Sequence, residues 1–112
     1  MNLKYFDKRI TLFHYDGKKY SRNPFWNVSL VEKESIEISA EGEKNTSEIL
    51  VRIPVVNSKI PIINKGDYIV IGIVKEEFEL KKFLKKYRTY KVTSLTDNSS
   101  GGLAHIKIKG ER

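Results

Sequence analysis

The chain has no cysteine among its 112 residues. Disulfide stapling and thiolate metal sites are thereby excluded, and an oxidising compartment would offer the fold nothing. Histidine is scarce too: His14 and His105 are the only two, each in a strand-like stretch with polar neighbours. A satisfied or solvent-facing imidazole is the ordinary state of such a residue. No His-Glu-x-x-His helix, no ligand cluster of metal spacing and no Gly-x-Ser-x-Gly elbow is present. Ser99-Ser100-Gly101-Gly102 is no phosphate loop, because it lacks the following Lys-Ser/Thr and leads into a strand. Without a nucleophile–base constellation, the expectation is a protein that is not an enzyme and needs no cofactor. Apolar runs are short. No window approaches the ~20 residues of a membrane span, and Met1-Asn2-Leu3-Lys4-Tyr5-Phe6-Asp7 has no signal-peptide core. A soluble chain without a membrane partner is therefore expected.

What remains is ordinary globular material: 39% hydrophobic and 11% aromatic residues. That suits one domain over residues 1–112, able to fold alone with little core to spare. The net charge of +7 invites a nucleic-acid reading. Six cations crowd one short segment: Lys81, Lys82, Lys85, Lys86, Arg88 and Lys91. They are candidate phosphate contacts, although a basic helix face is more often just a solvated one.

Gly66-Asp67 opens the most apolar stretch, Tyr68-Ile69-Val70-Ile71-Gly72-Ile73-Val74. Its β-branched residues fit a strand. Ile69, Ile71 and Ile73 fall on one face, and Tyr68, Val70 and Val74 on the other. A strand apolar on both faces must be covered on both, by a sheet, a helix or a partner chain. Other strands are expected to pack around it. Arg9 to Tyr15 alternates, and Asp16-Gly17 predicts a hairpin turn leading to Lys18–Arg22. Asn23-Pro24 is expected to end that arm, since proline cannot donate to a ladder. Trp26, Val28 and Leu30 then share an inward face, continued by Ile36 and Ile38 after Glu32-Lys33-Glu34, which forms a bulge or a bend. The polar stretch Ala40–Glu48 reads as a loop. Ile49–Ile53 is a strand with Arg52 outward, stopped by Pro54. Residues 55–64 read as loop with a short edge strand.

After Val74 the apolar period lengthens. Leu80, Phe83, Leu84 and Tyr87 define one face of a helix of about three turns, with Glu76, Glu77 and Glu79 at its start. A coil crossing a barrel mouth is the alternative. Tyr90–Leu95 and Leu103–Lys109 are closing strands, with Thr96–Gly102 as loop and Ala104, Ile106 and Ile108 inward. The fold class is mainly β: a small barrel or two-sheet sandwich of short antiparallel strands with one short helix. Tyr15, Tyr20, Phe25 and Trp26 lie near Lys18, Lys19 and Arg22. That mix suits single-strand stacking, as in oligonucleotide-binding barrels; the plainer expectation puts Phe25 and Trp26 in the core.

Several stretches, in order over nearly the whole chain, resemble a family of small virion proteins from phages and prophages of Gram-positive bacteria. They are Ile10–Tyr15, Phe25-Trp26-Asn27-Val28, Ile49–Pro54, Lys65–Gly72, Tyr90–Asn98 and His105–Gly110. The most specific is Val-Thr-x-x-Thr-Asp-Asn from Val92, followed by His-x-Lys-x-x-Gly from His105. Ser99-Ser100 stands where basic residues are expected and Ile106 where an aromatic often follows the histidine. The resemblance implies a structural subunit of the head–tail junction of the head-closure or stopper class. Such a subunit forms a homo-oligomeric ring within the virion, retains packaged DNA and meets adaptor, portal and tail proteins. A tail-terminator role is the near alternative, and a basic nucleic-acid-binding module is the alternative of a different class. Loops serving assembly would include Gly42, Asn45, Asn57, Lys59, Asn98, Ser99 and Gly101.

Overall fold

The computed structural model describes residues 6–40, 42–55, 61–98 and 104–112; at 35–39, 43–46 and 98 the description covers the backbone alone. Six strands and one helix follow one another: β1 (Lys8–Tyr15), β2 (Tyr20–Ser39), β3 (Gly42–Pro54), β4 (Tyr68–Ile71), α1 (Leu80–Lys86), β5 (Thr89–Asn98) and β6 (His105–Glu111). The strands close into an antiparallel barrel in the order β1-β2-β3-β6-β5-β4, β4 pairing back onto β1. Closure removes the open edges that a flat sheet of this size would present. A sandwich is thereby excluded.

Each strand sends alternate residues into one interior. Ile10 and Leu12, Val28, Ile49, Val51 and Ile53, Ile69, Tyr90 and Val92, and Ile106 and Ile108 meet there, joined by Ile63 from the β3–β4 crossing. Burial pushes the Tyr90 hydroxyl above its ordinary pKa. At Gly110 the walls come close: a Cβ would lie 3.0 Å from Ile49 Cγ1 and 3.1 Å from Tyr90 Cβ. A side chain there would force the interior apart.

A second, smaller core lies outside the barrel wall. Phe13, Val70, Val74 and Phe83 are buried in it, with Tyr68, Phe78 and Tyr87 packed against them. The two apolar faces of β4 divide as the alternation predicts, Ile69 inward and Val70 outward. The strand itself is shorter than expected. It ends at Ile71 because Gly72 takes a φ of +95°, which turns the chain out of the ladder. Thr11 holds this reversal: its buried hydroxyl donates to the Gly72 carbonyl at 2.8 Å and accepts from the Val74 N–H at 2.9 Å.

The helix is also shorter than expected, at seven residues. Only Phe83 is fully buried, and Leu84 is exposed. Of the apolar stripe expected there, Phe83 is the buried anchor and Tyr87 packs against the same core. No acidic residue lies in the first turn; Glu79 is the N-cap and makes no side-chain cap bond. Glu76 instead reaches across to the end of the helix.

Three further expectations are corrected. Proline does not end the hairpin arm: β2 runs through Pro24, which pairs only with β1 because β3 joins β2 from Ser29 onward. One side of Pro24 therefore has no ladder to break. Trp26 does not share the inward face of Val28. Ile10 pairs with Phe25 and Lys8 with Val28, so β2 holds one extra residue there. That bulge reverses the alternation, setting Phe25 against the core and leaving Trp26 52% exposed beneath the Arg9 guanidinium. Finally, within the expected loop Ala40–Glu48, residues Gly42–Glu48 are strand; Glu41 lies outside the described residues. Gly42 begins β3, and Asn45 pairs with Ile36 inside it. Cross-strand pairing prevails over the polar, turn-rich composition of the segment. Likewise Asp97 and Asn98, expected in a loop, end β5 opposite Ile106 and His105.

Candidate assembly surfaces

The long β2–β3 hairpin pairs in register from Ser29↔Arg52 to Ser39↔Gly42. Its neighbours stop early. β1 leaves β2 at Val28, and β6 leaves β3 at Glu48, with one further bond from the Arg112 N–H to the Ser47 carbonyl. From Glu34 to Ser39 the hairpin is therefore a two-stranded arm about 20 Å long, with no third strand among the described residues. The molecule measures 49 × 32 × 23 Å. At the arm's base the Arg88 Nη1 donates to both carboxylate oxygens of Glu32, at 3.0 and 2.9 Å. Lys109 lies 3.6 Å from Glu48.

The other end of β2 borders a different surface. Tyr20, Ser21 and Arg22 line an open cleft of about 670 Å³ with Phe13, Lys19, Lys75, Glu76, Glu77 and Phe78. Its floor is aromatic: the Phe78 ring centroid lies 4.5 Å from Tyr20 and 5.0 Å from Phe13. Tyr15 packs 4.9 Å from Tyr20, and the two rings are 46% and 37% exposed. Desolvation raises the Tyr20 pKa, so that phenol stays neutral at physiological pH. The Asp16-Gly17 turn beside them forms as its sequence predicts. Asp16 accepts from the Lys18 and Lys19 N–H groups at 2.9 and 3.0 Å, and these bonds, Lys19's foremost, lower its pKa.

Below that turn, the partly buried His14 and the buried Asp67 form a pair, Nδ1 to Oδ2 at 2.7 Å. The same carboxylate accepts from the Asn64 N–H at 2.8 Å and the Tyr15 N–H at 3.3 Å. One carboxylate therefore ties the β1 end to the turn entering β4. His14 is accordingly a satisfied residue with a structural partner, and His105 pairs in the ladder with Asn98 and Pro54.

The six-cation segment does not stay together as one patch. Lys82 and Lys86 converge on Glu76, at 3.2 and 2.6 Å, and the Tyr87 hydroxyl donates to the same carboxylate at 2.7 Å. Hydrogen bonds from Lys86, Tyr87 and Lys82 hold the Glu76 pKa down at about 2, and the reciprocal bond raises that of Lys86. Arg88 is engaged by Glu32. Lys81 and Lys85 remain exposed on α1, and Lys91 is exposed on β5 opposite Tyr68. Of the expected assembly loops, Gly42 and Asn45 belong to the arm and Asn98 to the end of β5, whereas Asn57, Lys59, Ser99 and Gly101 lie outside the described residues. The exposure of Trp26 is hidden by the plain alternation of its strand. The β2 bulge that turns it outward is a property of the ladder.

Among the described residues no group of three or more His, Cys, Asp or Glu side chains is placed to hold a metal ion, and no helix is long and apolar enough to cross a membrane. By architecture this is a closed six-stranded barrel that carries a projecting two-stranded arm. Residues 5–111 match the model of a family of unknown function (DUF6751), and the chain belongs to that family. No curated protein and no solved structure matches it.

Proposed function

We propose that the chain is a structural subunit of a phage or prophage head–tail junction, of the head-closure kind. It acts by assembling into a ring in the virion that retains packaged DNA and docks the tail. The observation that carries this reading is the arm. A barrel closed on itself has no need of a 20-residue strand, and the β2–β3 hairpin continues past β1 and β6, the strands that flank it. An isolated two-stranded ribbon is marginally stable in water, so an arm of this length is suited to a protein neighbour that covers it. The sequence resemblance supplies the setting. A nucleic-acid-binding module draws less support, because Lys82, Lys86 and Arg88 are already engaged by Glu76 and Glu32.

Labelled protein in purified particles tests the reading. Signal is expected at the neck between head and tail, and loss of the gene is expected to leave heads without DNA and tails unattached. Particles that lack the protein, or that assemble and retain DNA without it, would overturn the reading.

A further inference from the structure

The charge of the chain is divided along β2. Residues 33–47, the arm, hold four glutamates (Glu34, Glu37, Glu41 and Glu43) against two lysines (Lys33 and Lys44). The arm is therefore acidic by 2 charges, while a chain total of +7 leaves the remainder basic by 9. Ile36 and Ile38 stand among these acids, so the arm is both acidic and apolar. At the opposite end of the same strand, the cleft offers the reverse. Lys19, Arg22 and Lys75 rim it, and Tyr20, Phe13 and Phe78 form its floor. Its own acids weigh little against them: Glu76 is engaged by Lys82 and Lys86, leaving Glu77. From Arg22 to Glu34, β2 covers about 40 Å of extended chain, and the arm continues onward from there. The strand thus carries the arm away from the cleft of its own copy.

We infer that the arm of one copy docks in the cleft of the next, head to tail. This deepens the assembly role proposed above and rests on it. Such a contact joins two different patches, so it is heterologous, and repetition of it closes a ring or extends a filament according to the rotation between copies. The acids of the arm meet the cation rim, and its isoleucines meet the aromatic floor. Charge complementarity of this kind sets register and speeds encounter, and it weakens with salt.

Sedimentation velocity over a concentration series, at low and high salt, tests the inference. The wild-type chain is expected to self-associate with rising concentration, and less so at high salt. Reversing the arm (Glu34→Lys with Glu37→Lys) or the cleft (Lys19→Glu with Lys75→Glu) is expected to weaken association about tenfold or more. Glu34, Lys19 and Lys75 are exposed, and unchanged thermal unfolding of each variant will show that the fold survives. Mixing the two variants is expected to restore association with the two kinds of copy alternating, because the native arm of one fits the native cleft of the other and the reversed arm fits the reversed cleft. Combining all four reversals in one chain is expected to restore association.

A wild type that stays monomeric at every concentration and salt overturns the inference. So does association indifferent to both reversals. A cleft variant that loses only binding to a single-stranded oligonucleotide also overturns it, and reassigns the cleft to nucleic acid. Failure of the assembly role reads differently: docking that follows these rules in a protein missing from virions removes the head–tail setting and leaves the contact.

Discussion

Thr11 is fully buried, and its hydroxyl serves two backbone groups that no strand satisfies, the Gly72 carbonyl and the Val74 N–H. Thr11→Val keeps the shape and removes both bonds. Leaving the two groups unpaired in the wall is expected to lower stability by about 2–3 kcal/mol, read as a shift of the urea midpoint at unchanged slope. Glu76 gives a pH-dependent prediction. Its folded pKa, about 2, lies below the ordinary 4.5 because Lys86, Tyr87 and Lys82 donate to it. A depressed carboxylate contributes stability that is fully present above the unfolded value and is lost as pH falls through the folded one. Wild type is therefore expected to be more stable than Glu76→Gln at pH 7, with the gap narrowing below about pH 4.5 and closing near pH 2. Thermal unfolding of both across that range checks it; a gap independent of pH would show that the charge of Glu76 contributes nothing.

Among the elements, α1 buries one side chain fully. Phe83 packs 5.3 Å from Phe13 and 5.1 Å from Phe78 in edge-on contacts, while Leu84 beside it is 45% exposed. Phe83→Ala is expected to cost about 3–5 kcal/mol and Leu84→Ala under about 1, compared by chemical denaturation. The sequence pattern gave the two residues equal standing. Helical spacing says which residues share a face, not how much of that face the neighbouring strand can cover. The same limit explains Trp26: alternation is reliable only while the ladder adds one residue per step, and one extra residue in β2 was enough to turn the ring outward. The hairpin turn at Asp16-Gly17 and the division of β4 were legible because each depends on neighbours close in sequence.

For the whole molecule, the arm and the barrel are expected to be separable in energy, since beyond Glu34 the arm pairs only with itself among the described residues. No residue of the arm beyond Lys33 belongs to either core among the described residues, and Lys33 pairs directly across from Glu48. Replacing residues 34–47 with Asn-Gly joins that pair through a two-residue turn that suits the strand twist. The shortened chain is expected to keep its unfolding free energy within about 1 kcal/mol, measured by urea denaturation, and to lose self-association. A collapse of stability would show that the arm is part of the fold and not an appendage. By itself the sequence determined the mainly β class, the turn at Asp16-Gly17, the two faces of β4 and the lack of any metal-binding or nucleophile spacing, since these follow from local backbone preference and from residue types present or missing. Only the tertiary structure decided that the sheet closes, that Gly42–Glu48 extends a ribbon instead of looping, and that three of the six cations around α1 are engaged by glutamates. Pairing partners far apart in the chain choose among conformations that local composition leaves nearly equal.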